Sequence, residues 1–205
     1  MTRYGIVVDL KGCQGCGACE VACKLVNNTP KGVSWIKVIK KEVGTYPNVS
    51  ELYQTFQCNH CAKAPCVKAC PTGATGRAAN GIVTMDYAKC IGCRACEKAC
   101  PYGARTFIDK VRPYYEDVAN SPYDKAAMAR FKVNVETKCN LCSELVAKGQ
   151  EPACVARCPE FAMYFGDLND PNSVVSKLIT QRKGTQLQAN LGTDPSIYYL
   201  PASAK

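Results

Sequence analysis

Apolar and polar residues alternate over short distances along this chain, and the pattern predicts many short elements. Apolar runs at residues 5–8 and 81–85 are typical of buried strands. The predicted strands are 4–9, 34–42, 52–57, 81–86, 104–108, 131–136 and 162–166. The predicted short helices are 19–26, 65–70, 96–100 and 153–158.

One longer helix is predicted over residues 171–183. Asp170 is its expected N-cap, Pro171 lies in its first turn, and basic residues followed by a glycine mark its end. Residues 185–205 are predicted to form an extended tail with one apolar patch, residues 197–200. Two interpretations of this patch stay open: a strand that docks on its own domain, and an arm that lies on a partner subunit.

Composition changes this picture, because 16 of the 205 residues are cysteine. They form four groups with the spacings C-x2-C-x2-C-x3-C, C-x2-C-x4-C-x3-C, C-x2-C-x2-C-x3-C and C-x2-C-x11-C-x3-C. No cysteine is left over. In chain order the groups are Cys13, Cys16, Cys19 and Cys23; Cys58, Cys61, Cys66 and Cys70; Cys90, Cys93, Cys96 and Cys100; Cys139, Cys142, Cys154 and Cys158.

Several kinds of site compete for such groups. Cysteines three residues apart in one loop are badly placed to bridge each other as disulfides. Structural zinc sites usually take two ligands from each of two separated knuckles. Covalent haem needs a histidine directly after C-x2-C, and no group has one. Three thiolates in one short loop, followed by a fourth on a short helix, instead suit a cubane. The spacing therefore predicts four [4Fe–4S] clusters.

Two further features favour duplicated ferredoxin units. A proline follows the last cysteine in three of the four groups, where it is expected to end the short helix. These prolines are Pro71, Pro101 and Pro159. Group one departs from this pattern, since Lys24 follows Cys23. Residues 9–23 and 86–100 also align without gaps, with nine of fifteen positions identical, which indicates an internal repeat.

With these motifs in place, the chain resembles a known family, the four-cluster [4Fe–4S] electron-transfer (beta) subunits of molybdopterin oxidoreductases. Members serve dimethyl sulfoxide, polysulfide, thiosulfate, tetrathionate and arsenate reductases, and formate dehydrogenases. The segments that carry the resemblance are CQGCGACEVAC, CNHCAKAPCVKACPTGA, KCIGCRACEKACPYGAR, KCNLC, GQEPACVARCPEFA, FGDLNDP and LGTDPSIYYLP. They span nearly the whole chain and are specific for the family, although not for its substrates.

The resemblance implies an α+β fold of two pseudo-symmetric, bacterial-ferredoxin-like lobes with inserted loops and an extended C-terminal arm. One lobe would comprise residues 1–30 and 131–170, with cysteine groups one and four. The other would comprise residues 50–110, with groups two and three. Residues 106–135 would be an inserted loop, and residues 171–205 would be the helix and the C-terminal arm.

The resemblance also implies how the groups share their cysteines, because in paired-cluster ferredoxins the fourth cysteine of a group ligates the other cluster. The cluster 1 set would be Cys13, Cys16, Cys19 and Cys158. The cluster 2 set would be Cys58, Cys61, Cys66 and Cys100. The cluster 3 set would be Cys70, Cys90, Cys93 and Cys96. The cluster 4 set would be Cys23, Cys139, Cys142 and Cys154.

For function, the resemblance implies a subunit that is not catalytic by itself. It would relay electrons between a molybdopterin-containing catalytic subunit and a membrane quinone-reactive subunit. The sequence adds no phosphate-binding loop and no flavin or nicotinamide fingerprint. Two alternatives stay open: a subunit of a hydrogenase or another non-molybdenum enzyme, and a freestanding polyferredoxin carrier. We expect no nucleic-acid partner, because DNA enzymes with a cubane typically hold one cluster within a catalytic fold.

The expected location follows from the absence of targeting signals. No apolar run approaches the roughly 18 residues that cross a bilayer, and residues 1–9 contain neither a signal core nor a twin arginine. We therefore expect membrane association through partners, and the resemblance implies the extracytoplasmic face, reached by co-export with a twin-arginine-tagged partner. A cytoplasmic location is the alternative.

The charged residues and the single histidine receive smaller roles. The formal charge of +9 would fall to about +1 if four oxidised sites each added about −2, so the basic excess is expected to counterbalance the clusters. His60, beside Cys61, is redundant as a ligand; a hydrogen bond to a cluster sulfur and plain packing both stay open. Trp35 is expected in the core or an interface. The basic residues expected to be solvated surface charges are Lys24, Lys68, Arg94, Lys98, Arg105, Lys138 and Arg157.

Overall fold

The computed structural model describes residues 1–115 and 121–202, so residues 116–120 of the predicted inserted loop and 203–205 of the predicted arm lie outside the described residues. The elements in chain order are β1 (Tyr4–Asp9), α1 (Ala18–Asn27), β2 (Ile36–Thr45), β3 (Asn48–Gln57), α2 (Pro65–Lys68), β4 (Thr75–Arg77), β5 (Val83–Met85), α3 (Ala95–Lys98), β6 (Thr106–Ile108), α4 (Pro122–Arg130), β7 (Val135–Thr137), α5 (Ser143–Val146), α6 (Ala153–Ala156), β8 (Met163–Asp167), α7 (Val174–Gln181), β9 (Thr185–Gln186), a 3₁₀ turn (Ala189–Leu191) and β10 (Ile197–Leu200).

A four-stranded sheet in the order β8-β1-β10-β9 brings the two ends of the described chain together. Strand β1 pairs antiparallel with β8, where Val8 lies opposite Met163. It pairs parallel with β10, where Ile6 lies opposite Ile197. Smaller two-stranded sheets pair β2 with β3, β4 with β5, and β6 with β7. The architecture is α+β, as predicted at this coarse level.

Side chains of the central sheet alternate between its two faces. On one face Val7 and Leu200 pack against Val175 of helix α7. The other face contributes Ile6, Val8, Ile197 and Tyr199 to the main apolar core. The same core contains cysteines that follow β1 and precede β8, so burial of the sheet also brings the first and last cysteine groups together.

The described part of the C-terminal tail is tied to its own chain. Residues 197–200 form β10 inside the central sheet. Just before it, the Ser196 N–H donates to the carbonyl of Asn59, and the Ala62 N–H donates to the carbonyl of Asp194, both at 2.8 Å. The prediction of a strand docked on its own domain is confirmed, and the alternative of an arm on a partner is wrong for these residues.

Strands β2 and β3 form a long antiparallel hairpin that begins in the core and ends in solvent. Ile36 and Gln57 pair at its buried base, while Tyr46 at the turn is almost fully exposed. Both strands extend beyond the predicted ranges, 34–42 and 52–57. The outer half of the hairpin is largely exposed, so its residues need not alternate between apolar and polar. The sequence therefore does not indicate its full length.

The segment between cysteine groups three and four contains a helix as well as loops. Helix α4 begins with a capping box in which Ser121 and Asp124 bond reciprocally. The Tyr123 hydroxyl donates to the carbonyl of Lys24 at 2.8 Å, so α4 packs against α1. The structure thus corrects the inserted-loop prediction for this part. It also shortens the strand predicted at 131–136, since β7 begins only at Val135.

Helix α7 is shorter than the predicted helix and starts at a different cap. Its N-cap is Ser173, whose hydroxyl accepts the N–H of Ser176 at 3.2 Å. Asp170, the predicted cap, instead accepts the N–H of Asn172 at 2.8 Å in the preceding turn. The prediction of Asp170 as the cap is therefore wrong. In the described part of the chain, no helix has the length and apolar character needed to span a membrane.

Candidate functional site

The cluster 1 set of cysteines lines one small cavity. Cys13 and Cys16 lie in the loop after β1, Cys19 lies in the first turn of α1, and Cys158 follows α6. Gly15 allows this loop to curl. Its φ is +68°, and a Cβ there would lie 2.2 Å from the ring of Tyr53. The loop and the distant Cys158 thus present four thiols to one space.

The cluster 4 set lines a second small cavity. Cys23 lies one turn after Cys19 on α1, so neighbouring residues of one helix face different cavities. The Asn27 side-chain amide lies 3.6 Å from Cys23 Sγ and 3.8 Å from Cys142 Sγ, and donates to both. Burial and the nearby Cys142 thiolate raise the pKa of Cys23 to about 12. Burial likewise raises the pKa values of Cys139 and Cys154.

The cluster 2 set is also brought together around a buried space. Cys58, Cys61 and Cys66 are each more than nine-tenths buried. Burial, followed by the thiolates of Cys58, Cys66 and Cys100, raises the pKa of Cys61 to about 12. The C-terminal tail closes this region, because the Lys63 N–H donates to the carbonyl of Thr193 at 3.0 Å.

The cluster 3 set lies nearer the surface, and Cys93 is exposed. Its two contributing segments are joined by the β4–β5 pair and by a hydrogen bond of 2.7 Å from the Asp86 N–H to the carbonyl of Ala74. Helices α2 and α3 also pack together. Cys70, which follows α2, and Cys96, which lies in α3, are therefore held next to each other and to the cluster 2 set.

The thiols fit a cubane better than a single ion. All sixteen cysteines are free of disulfides. Among the described residues, no three side chains of His, Cys, Asp or Glu converge closely enough to hold one metal ion. A tetrahedral zinc ion would need four thiolates at about 2.3 Å from one centre. A cubane instead takes each thiolate at a different iron, which requires a wider ring of sulfurs.

Backbone amides support the same interpretation. Three of them donate to cysteine sulfurs at 3.4 Å each: Thr75 N–H to Cys70, Leu141 N–H to Cys139, and Ala162 N–H to Cys158. Hydrogen bonds to ligand sulfurs stabilise their negative charge and are one means of setting a cluster potential. Two of these donors follow a Cys-Pro turn, so the proline motif positions an amide as well as ending a helix.

Two flanking cations do not occupy the positions predicted for them. Arg105 is 6 % exposed and Lys138 is 3 % exposed, so the prediction that they are solvated surface charges is wrong. Arg105 Nη1 donates to Cys96 Sγ at 3.2 Å, and Lys138 Nζ donates to the carbonyl of Cys139 at 2.8 Å. Their chain positions beside cysteine motifs were the only signal in the sequence, and exposed residues such as Lys98 share that signal.

His60 and Trp35 are both buried. His60 Nδ1 accepts the N–H of Val83 at 3.0 Å. Burial, with the charges of Lys138 and Arg105, lowers the pKa of His60 well below its usual range, so the ring is neutral and carries its proton on Nε2. Trp35 donates from Nε1 to Thr137 Oγ1 at 3.0 Å, which agrees with the predicted core position.

Closely spaced thiols, amide donors and buried surroundings together define an iron–sulfur electron-transfer protein of the ferredoxin type. Comparison with protein families agrees. The 4Fe-4S dicluster domain matches residues 49–113 and 106–168, and a 4Fe-4S binding domain matches residues 10–29. These matches, together with the reductase and dehydrogenase subunits to which the chain is similar, show that it belongs to the family of iron–sulfur electron-transfer subunits of molybdopterin oxidoreductases. Its cofactors are four [4Fe–4S] clusters. It is a non-catalytic member of an oxidoreductase complex.

Individual relatives align over nearly the full length of the chain. It is 42 % identical to a selenate reductase subunit of Mesobacillus selenatarsenatis, over 97 % of this chain and 72 % of the relative. It is 40 % identical to the arsenate respiratory reductase iron-sulfur subunit ArrB of Shewanella sp., over 97 % and 96 %. It is 37 % identical to a sulfite dehydrogenase subunit of Allochromatium vinosum, over 98 % and 84 %. The substrates in these names differ although the cysteine-rich chain is shared.

Proposed function

We propose that the sixteen cysteines hold the four clusters in the crossed arrangement implied by the family. The observation that carries this proposal is the cavity in which Cys158 joins Cys13, Cys16 and Cys19. A group that held its own cluster would instead bring Cys23 into that space. The matching cavity with Cys23 among group-four cysteines supports the same crossing. The cluster 2 and cluster 3 sets are assigned by the same rule.

Two ferredoxin-like lobes follow from this crossing. Groups one and four, in residues 1–30 and 131–170, would form one lobe, and groups two and three, in residues 50–110, would form the other. The pairing of β1 with β8 supports the first lobe, because those strands flank groups one and four. The pairing of β4 with β5 supports the second, because it joins the segments after Cys70 and before Cys90.

The four sets are proposed to lie in one row, in the order 1, 4, 2, 3. Between the lobes, the thiolates of Cys23 and Cys58 both add to the effect of burial on the pKa of Cys139. This supports contact of the cluster 4 and cluster 2 sets at the centre. Exposed cysteines, Cys16 and Cys93, belong to the two sets at the ends. Electrons would therefore enter and leave at the exposed ends of the row.

When bound, each cluster takes up and releases one electron at a time. The chain's own residues hold the thiolates at fixed spacing, donate amide hydrogens to sulfur and exclude water from the two central sets. Burial reduces the solvent response to a change of charge and leaves fixed protein dipoles to set the potentials.

The proposed partners are a molybdopterin-containing catalytic subunit at one end and a membrane quinone-reactive subunit at the other. The names of the relatives, which are subunits of reductases and of a dehydrogenase, support the first partner. A respiratory reductase among them supports a route to the membrane. The proposed location is the extracytoplasmic face, reached with an exported partner.

The ligand proposal is tested with Cys19→Ser and Cys23→Ser. The two substitutions lie on the same helix, α1, and are only four residues apart. We expect each to perturb a different one of four redox transitions in an EPR-monitored titration. Cys158→Ser should perturb the same transition as Cys19→Ser. The wild-type preparation should contain about 16 iron atoms per chain. If Cys19→Ser and Cys23→Ser alter the same transition, the crossed assignment is wrong.

The partner proposal is tested by purifying the tagged chain anaerobically from its native membranes. Molybdenum, a pterin and a quinone-reactive membrane protein should copurify with it. Elution as a lone chain of about 22 kDa would contradict the subunit proposal and favour a freestanding carrier. Nickel in place of molybdenum would favour a hydrogenase. Protease accessibility in intact cells and in inverted vesicles reports the side of the membrane.

A further inference from the structure

Two basic side chains are buried without an ion pair to a carboxylate in the described part of the chain. Arg105 and Lys138 are both more than nine-tenths buried, and neither forms an ion pair with a carboxylate among the described residues. Basic side chains are almost never fully buried unless they are paired. Each of the two must therefore find its negative partner elsewhere.

Arg105 lies between thiols of two different sets. Its Nη1 donates to Cys96 Sγ of the cluster 3 set at 3.2 Å. Burial by itself opposes the charge, but interactions with Cys66, Cys96 and Cys58 outweigh it and hold the pKa of Arg105 above its usual value. Cys58 and Cys66 belong to the cluster 2 set. The guanidinium thus faces both proposed clusters of this lobe.

The remaining donors of Arg105 point to the same conclusion. Its Nε and Nη2 atoms are buried and have no hydrogen-bond acceptor among the described residues. A buried donor without an acceptor is costly, and a guanidinium has five N–H bonds to satisfy. Glu136 is the nearby carboxyl, but burial and the neighbouring Glu97 raise its pKa to about 7, so it is only partly ionised at neutral pH. Thiolates and sulfides would supply the missing acceptors.

Lys138 occupies the corresponding position between the lobes. Its Nζ donates to the carbonyl of Val83 and to that of Cys139, a member of the cluster 4 set. Val83 in turn donates its N–H at 3.0 Å to Nδ1 of His60, which immediately precedes Cys61 of the cluster 2 set. The ammonium therefore lies between the cluster 4 and cluster 2 sets. In the proposed row, Lys138 therefore occupies the gap between clusters 4 and 2, and Arg105 occupies the gap between clusters 2 and 3.

We propose that Arg105 and Lys138 are positioning residues that raise the reduction potentials of the clusters on either side of them. Arg105 acts on clusters 2 and 3, and Lys138 acts on clusters 4 and 2. A fixed positive charge in a medium of low dielectric constant stabilises the added electron far more than a solvated charge does. Cluster 1, at the far end, lies outside both gaps. The inference rests on the ligand assignment proposed above.

The test is an EPR-monitored redox titration of the purified complex with Arg105→Gln, Arg105→Lys, Lys138→Met and the control Lys98→Met. Lys98 is exposed and lies between Cys96 and Cys100 in the sequence, so its replacement removes a charge from the same motif without removing a buried one. Iron is measured first in every variant, so that a lost cluster is not mistaken for a shifted potential.

We expect Arg105→Gln to lower the midpoint potentials of two of the four transitions. Each should fall by about 59 mV, which is a tenfold fall in the equilibrium constant for reduction. Arg105→Lys keeps the charge and should retain most of the wild-type potentials. Lys138→Met should lower two transitions, one of them shared with Arg105→Gln. Lys98→Met should leave all four in place.

Equal shifts in Arg105→Gln and Lys98→Met, or unshifted transitions in both Arg105→Gln and Lys138→Met, would overturn the proposal. If Arg105→Gln fails to assemble its clusters, the comparison of Lys138→Met with Lys98→Met decides the outcome. A wild-type iron content far below 16 atoms would instead contradict the ligand assignment, so the two failures are distinguishable.

Discussion

Arg3 and Asp194 form a bidentate ion pair, with Nη1–Oδ2 at 3.1 Å and Nη2–Oδ1 at 2.9 Å. Arg3 also donates to the carbonyl of Pro195 at 3.0 Å and to Ser196 Oγ at 3.1 Å. These contacts join the start of β1 to the tail segment that packs on the loop around Cys61. The pair therefore links the two cysteine-rich halves of the chain beside the proposed central clusters.

Replacing Arg3 by methionine should destabilise the chain by about 1–2 kcal/mol, because a bidentate, charge-assisted interaction is lost beside partly buried groups. The measurement is urea-induced bleaching of cluster absorbance at pH 7. Arg112→Met is the control. It removes a bidentate contact with Asp109, but both side chains are exposed, so the expected cost is below about 1 kcal/mol. Equal costs would contradict a linking role for Arg3.

The same ion pair should give stability a pH dependence. Partial burial would raise the pKa of Asp194, but Arg3 outweighs it and the pKa lies below the usual range. A carboxyl with a depressed pKa stabilises the folded state above its unfolded pKa, and this contribution is lost as the pH falls through the folded pKa. The difference in urea stability between Asp194→Asn and the wild type should therefore be constant at pH 6–7, begin to shrink below about pH 4 and vanish only below the folded pKa. A difference that did not shrink below about pH 4 would contradict the assignment.

Gly15→Ala should impair assembly of the cluster held by the cluster 1 set. A Cβ at Gly15 would lie 2.2 Å from the Tyr53 ring, and the positive φ adds strain. Gly17→Ala is the matched control, since Gly17 also has a positive φ but a Cβ there meets nothing within 4 Å. We expect about four fewer iron atoms per chain in Gly15→Ala and full occupancy in Gly17→Ala. Adding Tyr53→Ala should restore part of the iron; no restoration would show that the ring is not the cause.

Iron should be removed more readily as the pH falls. Burial raises the pKa values of Cys23 and Cys61 to about 12, so these groups bind protons once iron leaves them. Iron release is then coupled to proton uptake and is favoured at low pH. The measurement is loss of cluster absorbance to an Fe(II) chelator at pH 6, 7 and 8, corrected for protonation of the chelator. Release that is independent of pH would show that the thiols remain ionised without iron.

The cysteine chemistry of this protein is determined by local sequence. In groups one, two and three, three ligands lie within a few residues of each other, and the spacing, the small neighbours and, in three of the four groups, the following proline act locally. The sequence therefore predicted four [4Fe–4S] clusters, the family and the strand β1 with its bounds. The short helices that carry cysteines were also predicted near their observed positions.

The tertiary structure decided what depends on distant residues. Residues 197–200 form a strand of the central sheet because they pair with β1 and their side chains alternate between the same two faces. The partner strand lies near the other end of the chain, so the local sequence of the tail does not identify it. Helix α4 was missed although Ser121 and Asp124 form a local capping signal, because the residues that follow carry no clear apolar stripe. Arg105 and Lys98 both flank cysteines of group three, yet only Arg105 is buried. Burial of a charge depends on which segments meet around it, and that is set by packing rather than by sequence neighbours.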